Sequence, residues 1–351
     1  MEFEFCTAAT RPAPARTASL AALGVLSHEP RVRLRTAIRA TWLPDLPPSI
    51  AARFVLRGLE LQEPNAIRAE AAHHADVLFV RARSVMLREN GPLQSLVLWF
   101  ECARAHFAVA KFIGKADDDV WIRPSGWAAL LEAVHAGRVV PKGAHAYIGA
   151  LESYHWVLNT EAPIGWRHFP YATRCKVDHP SHKPSERYVG PFAFAKGASF
   201  FLSAHSAGRL VADHAAQVQR ITGSDAARCF HGSQMWFEAW CCGTGIASIN
   251  KKHCRHHYKT LGKRCPARKR GGEHNPCVAS ARSAGKSSNP AWDDVWTGYA
   301  LSRTAALGGP LYLVNLHYSL FRDAPGFKAR AGAISWHSQI DRDMPRRAAA
   351  G

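Results

Sequence analysis

The sequence contains no stretch of about eighteen consecutive apolar residues, the length a helix needs to cross a bilayer core. Its nearest candidate, residues 20–26, is far shorter. The N-terminus lacks the basic-then-apolar pattern of a secretory signal, and the chain as written is expected to be soluble. No Cys-x-x-Cys pair with matching histidine spacing is present, which removes the common zinc-finger frameworks. No internal repeat is found. Acidic residues are few: 27 Asp and Glu stand against 45 Lys and Arg, for a formal net charge of +18. Such a surface attracts anions, whether nucleic acid, acidic glycan, phospholipid headgroup or nucleotide diphosphate, and charge alone selects none of them. Frequent alanine and short arginine runs such as residues 31–35 leave a general compositional habit as another source of the excess.

What is present suffices for a globular protein. At 351 residues and 47% hydrophobic content, the chain can bury one large core or two ordinary ones. The nine cysteines cannot all pair internally, and six of them lie between Cys229 and Cys277. That cluster fits disulfides in a secretory lumen or a zinc site in a reducing compartment.

Residues 1–18 mix Pro, Ala, Thr and Arg without periodicity and read as a disordered leader. Residues 19–26 read as a buried strand, and 31–42 as a helix stopped by Pro44. The alternation continues with a strand over 53–57, a helix over 61–74, a strand over 76–80, a helix over 92–107 and a strand over 109–114. This is the rhythm of an α/β sheet with crossover helices. A further helix is expected over 125–135, with Gly137 as its C-cap residue. From 206 to 289 the character changes to His, Cys, Lys, Arg and Gly, which reads as an insertion. The ordered α/β body is thus expected over 19–205 and 290–340, with a basic tail over 341–351.

Three features could carry chemistry. Asp117, Asp118 and Asp119 follow a predicted central strand, where open α/β sheets bind ligands. Clustered carboxylates repel unless a cation or donor sits among them, and a divalent ion suits oxygen ligands; the alternative is a solvated acidic loop. A second pair, Asp293 and Asp294, could take a proton while the first cluster holds metal. It could equally be a helix N-terminus that favours acidic residues. His337 ends an apolar strand-like run and gains interest only in combination with the aspartates.

These motifs, in this order, resemble the β1,3-galactosyltransferase and β1,3-N-acetylglucosaminyltransferase family, glycosyltransferase family 31, with Fringe as a relative. Arg35-Thr36-Ala37-Ile38-Arg39-Ala40-Thr41-Trp42 resembles its Arg-x-x-Ile-Arg-x-Thr-Trp signature. Asp117-Asp118-Asp119-Val120 is similar to its metal-binding triple Asp, and residues 194–203 to its Gly-rich segment. Asp293-Asp294-Val295 with Gly298 is similar to Glu-Asp-Val-x-x-Gly, and His337 to the late histidine. The resemblance implies a GT-A fold, a Rossmann-like nucleotide-binding half merged with an acceptor-binding half. It implies an inverting, β1,3-specific transfer of galactose or N-acetylglucosamine from a UDP-sugar to a glycan or glycoprotein. Asp119 and His337 would ligate Mn²⁺ or Mg²⁺, Asp117 or Asp118 would contact the donor, and Asp294 would be the general base. Arg35, Arg39 and Gly197 would support donor binding, with a structural role as the alternative for the two arginines and Trp42.

The chain departs from the family pattern at Asp293, where Glu is usual, and at Lys196-Gly197-Ala198, where more glycine is common. The family's N-terminal Golgi anchor is not seen, so the Golgi lumen or membrane is a family expectation. Two other readings compete: a glycan-binding relative without activity, and a basic nucleic-acid-binding protein whose insertion holds zinc through residues such as His253, Cys254, His256, His257, Cys265 and Cys277. Nucleic acid is not the expected partner.

Overall fold

A computed structural model of the protein describes residues 6–8, 19–57, 64–80, 91–157, 167–168, 188–220, 293–303, 309–317, 319–322 and 332–337. In chain order the strands are β1 (Cys6–Ala8), β2 (Ala21–Leu26), β3 (Ile50–Arg57), β4 (Val77–Val80), β5 (Phe112–Asp117) and β6 (Val120–Ile122). They continue as β7 (His145–Val157), β8 (Arg167–His168), β9 (Tyr188–Ser203), β10 (Leu311–Asn315), β11 (Phe321–Arg322) and β12 (Ser335–His337). The helices are α1 (Val32–Ala40), α2 (Pro64–His74), α3 (Gly91–His106), α4 (Pro124–His135), α5 (Ala204–Arg220) and α6 (Asp293–Arg303).

The main sheet runs β4-β3-β2-β5-β9-β7-β10, with β1 added outside β4 and β8 outside β7. Strands β4, β3, β2 and β5 pair in parallel, as do β7 and β10, while β9 runs antiparallel between β5 and β7. This is a mostly parallel α/β sheet, as the strand–helix alternation of the sequence predicts. All six residues of β2 are buried, as a central strand covered on both faces requires. One face packs Leu23, Val25 and Ala116 against Ile38 from α1, Trp42 from the turn after it, Trp127 and Leu131 from α4, and Trp336 from β12. The other packs Ala22, Ile113 and Phe200 against Leu96, Trp99 and Phe100 from α3, Ala207 and Leu210 from α5, and Ala300 and Leu301 from α6. A Cβ on Gly24 would lie 2.5 Å from the Trp99 ring, so glycine lets α3 sit down on the sheet.

Leaving β2, the chain fills β3 and β4 on one side and then returns to place β5 on the other. The carboxyl ends of β2 and β5 therefore flank a topological switch point, the usual ligand crevice of such sheets. A second sheet, β11-β12-β6, closes over this end.

Several expectations shift. The expected strand over 109–114 begins instead at Phe112 and carries Asp117 as its last residue, because Val109 is exposed and Ala110 closes a turn onto Phe107. The leader is ordered at Cys6–Ala8, which pairs antiparallel with β4. An outer strand offers unpaired backbone groups, and a three-residue partner is too short to show periodicity in sequence. Residues 206–220, read as the opening of the insertion, continue α5, whose Ala207 and Leu210 are buried. The C-cap of α4 is Ala136, and Gly137, with φ of 82°, is the left-handed residue just beyond it. Residues 221–292, with the cysteine cluster and the zinc alternative, lie outside the described residues, as does the tail. Cys102 on α3 is fully buried and disulfide-bonded.

Candidate active site

The three aspartates do three different things. Asp118 is buried and turned inward: Ser27 Oγ donates to its Oδ2 at 2.7 Å, and Arg31 donates to its Oδ1 at 2.5 Å. Burial pushes its carboxyl above the ordinary range, against the opposing pull of Arg31 and Ser27. Both oxygens are engaged across the switch point, so Asp118 fastens the end of β5 to the loop after β2.

Asp119 turns the other way. Strand β12 pairs antiparallel with β6, with His337 opposite Val120, and this register brings His337 Nε2 within 3.2 Å of Asp119 Oδ1. Apart from this ion-pair contact, that buried oxygen accepts no hydrogen bond, a costly state for a carboxylate. Asp117, Asp119 and His337 each offer a ligand atom, all within 4.8 Å of one another. Two hard carboxylate oxygens and an imidazole suit a divalent ion such as Mn²⁺, and the orphaned oxygen is the atom a cation would satisfy. These residues fit a metal.

Asp117 is held by a residue the motifs did not single out. Lys115, wholly buried, donates from Nζ to Asp117 Oδ1 and to Asp293 Oδ2, each at 2.7 Å. Burial pushes Asp117 up to about 7; Lys115 opposes this, while Asp293 and Asp119 add to it. The paired carboxylates hold the Lys115 ammonium well above its ordinary value despite burial.

Asp293 and Asp294 form the first turn of α6, as the helix-terminus reading expects, and Lys115 ties the first of them to Asp117. A Cβ on Gly197 would stand 3.4 Å from Asp294 Oδ2, which places Gly197 on β9 directly against that carboxylate. Gly298 has a packing role: a Cβ there would collide with the Ala193 carbonyl oxygen and lie 2.5 Å from Phe194 Cβ, so α6 crosses β9 in contact. Beside Gly197, Lys196 Nζ lies 3.1 Å from the buried Glu152 on β7.

Arg35 and Arg39 are not brought to this cleft. Arg35 is fully buried, donating from Nε and Nη2 to Glu70 at 2.8 and 2.7 Å and from Nη1 to Ser27 Oγ and the His28 carbonyl. Arg39 donates to both oxygens of Asp76 and to Glu70. Trp42 donates from its indole to the Val120 carbonyl at 3.0 Å. The signature on α1 is therefore a clamp, and it reaches the site through Arg35, Ser27 and Asp118 in turn. Asp117, Asp119 and His337 come together, Gly197 meets Asp294, and Lys115 joins the two groups through Asp293; Asp118 supports the first, and Lys115, Arg31, Ser27 and Glu70 are the residues sequence reasoning missed. A signal for Lys115 existed: a lysine inside an otherwise apolar strand needs a carboxylate.

The sequence model of the family described as Galactosyltransferase matches residues 33–227. The chain belongs to the galactosyltransferase family. It is a glycosyltransferase, acting between a sugar donor and a glycan acceptor. Among solved structures, the chain is similar to apo mouse xyloside xylosyltransferase 1 at 8% identity and a TM-score of 0.34, with 92% of this chain and 98% of that one covered.

Proposed function

We propose that this galactosyltransferase-family member moves galactose or N-acetylglucosamine from a UDP-sugar onto an acceptor glycan in β1,3 linkage with inversion. The observation that carries the reading is Lys115 spanning Asp117 and Asp293, which puts two acidic motifs from distant parts of the chain in one cleft. Asp119 and His337, with Asp117 beside them, would hold a divalent ion, Mn²⁺ or Mg²⁺. Such an ion supplies Lewis-acid stabilisation of the departing diphosphate.

The protein's own groups do the rest. Asp294, at the positive end of α6, accepts the proton of the acceptor hydroxyl as that oxygen attacks the anomeric carbon. The bond from that carbon to the diphosphate breaks on the opposite face, which converts an α-linked donor into a β product. Gly197 meets Asp294 with backbone alone, with no side chain against the carboxylate. Asp118 meets the donor indirectly, by fixing the turn that carries Asp117 and Asp119. The Golgi lumen is the proposed compartment, supported by the family and by the disulfide at Cys102, since disulfides persist in oxidising compartments.

The test is UDP release from a panel of UDP-sugars, with Mn²⁺ or EDTA, against galactose- and N-acetylhexosamine-terminated acceptors. Metal-dependent release from one donor, with a β1,3 product, is the expected result. Folded protein that stays silent across the panel, or a product of retained configuration, would overturn the reading.

A further inference from the structure

Lys115 is a buried cation that the transfer chemistry above does not use. A cation with no exposed surface is stable only when its hydrogens meet acceptors, and Lys115 Nζ meets carboxylates at 2.7 Å on two different elements. Asp117 belongs to β5, on the side of the cleft that would hold metal and donor. Asp293 is the first residue of α6, adjacent to the proposed base. We infer that Lys115 is the positioning residue that sets the general base Asp294 against the donor site, by clamping the first turn of α6 to the end of β5. This inference rests on the function proposed above.

The geometry of α6 makes the clamp effective. The helix is anchored at two places about a turn and a half apart: Asp293 is tied to Lys115, and Gly298 is pressed onto the Ala193 carbonyl and Phe194. Thr297 Oγ1, donating to the Asp293 carbonyl at 2.7 Å, braces the first turn between them. With both anchors set, the direction of the intervening Asp294 is fixed, since successive residues of a helix are related by a constant rotation. Gly197 meets Asp294 with backbone alone, so no side chain at that position of β9 pushes the carboxylate off its course. Without Lys115, Asp117 and Asp293 lose the ammonium they share, and nothing ties the first turn of α6 to the end of β5. A displacement of about 1 Å at a reacting group lowers turnover by on the order of 100-fold.

Two variants separate positioning from donor binding. Lys115→Met removes the cation in a shape that still fits an apolar slot, and Asp293→Ala releases only the α6 arm while leaving Lys115 on Asp117. Kinetics, calorimetry of UDP with Mn²⁺, and hydrogen exchange of the α6 amides are measured on the full chain. For Asp293→Ala we expect kcat to fall at least about 10-fold with donor KM and UDP affinity within about 2-fold of the parent, because only the base has moved. For Lys115→Met we expect a fall on the order of 100-fold, and the double variant should be no slower than Lys115→Met alone, since the two residues act as one device. In both variants the amides of residues 293–303 should exchange faster while those of β2 stay protected. Unchanged α6 protection in Lys115→Met overturns the clamp, as does an Asp293→Ala variant that loses UDP affinity and kcat together. The exchange arm needs no turnover, so an inactive parent chain would count against the proposed function while the clamp is still decided.

Discussion

At the scale of single residues, metal and protons compete for the same carboxylate. Asp117, pushed up to about 7 by burial and by Asp293 and Asp119 against the pull of Lys115, is half protonated near neutrality when no cation is bound. A ligand must shed its proton, so Mn²⁺ affinity should be steady above about pH 7 and fall by up to tenfold for each pH unit below it, with proton release on binding. Calorimetry in buffers of different ionisation enthalpy between about pH 5.5 and 8 would read both effects. Asp119→Ala, which removes the orphaned oxygen beside His337, should abolish measurable Mn²⁺ binding in the same assay. For Asp294→Asn, the expected outcome is a kcat loss of about 10²–10⁴-fold with UDP and Mn²⁺ affinities retained. The residue types at these positions were legible from the motifs. The split of one Asp run into a ligand, an anchor and a lysine partner was not, because side-chain direction at a strand end depends on what the neighbouring loops offer.

At the scale of elements, the site depends on how closely helices approach the sheet. Gly298→Ala places a methyl against the Ala193 carbonyl and should destabilise the protein by about 1–3 kcal/mol, read as a lower urea midpoint at unchanged slope. Arg35 and Arg39, one turn apart on α1, converge on Glu70 of α2, so the Arg-x-x-Ile-Arg-x-Thr-Trp signature joins two helices and then the loop holding Ser27. Glu70→Ala should therefore cost about 3–5 kcal/mol, because Arg35 is left as an uncompensated buried cation. Loss of stability with near-normal UDP binding in the surviving fold is the result that fits a clamp; loss of UDP binding alone would return these arginines to the donor site. The periodicity of α2, α3 and α4 was readable because each presents apolar residues at helical spacing. The edge strand β1 and the start of β5 were not, since pairing with an already formed neighbour decides where such strands begin.

At the scale of the whole molecule, two halves meet along β9, the antiparallel strand between β5 and β7. The small sheet β11-β12-β6 is what carries His337 back to Asp119, a return across most of the chain's length. The disulfide at Cys102 adds a covalent tie to a helix buried in the second core. Reduction under otherwise native conditions should lower stability by about 2–5 kcal/mol, seen as a fall in Tm with dithiothreitol. An unchanged Tm would mean that the thiol form packs equally well.

By itself, the sequence determined the alternation of strands and helices, the place of the acidic run at the end of a central strand, and the family, since these rest on local periodicity and on ordered motifs. Only the tertiary structure decided which charges face one another: Lys115 between Asp117 and Asp293, Arg31 and Ser27 on Asp118, His337 on Asp119. Hydrophobic pattern is written along the chain, whereas Coulomb attraction and hydrogen bonding act through space, between groups that become neighbours only when the sheet has closed.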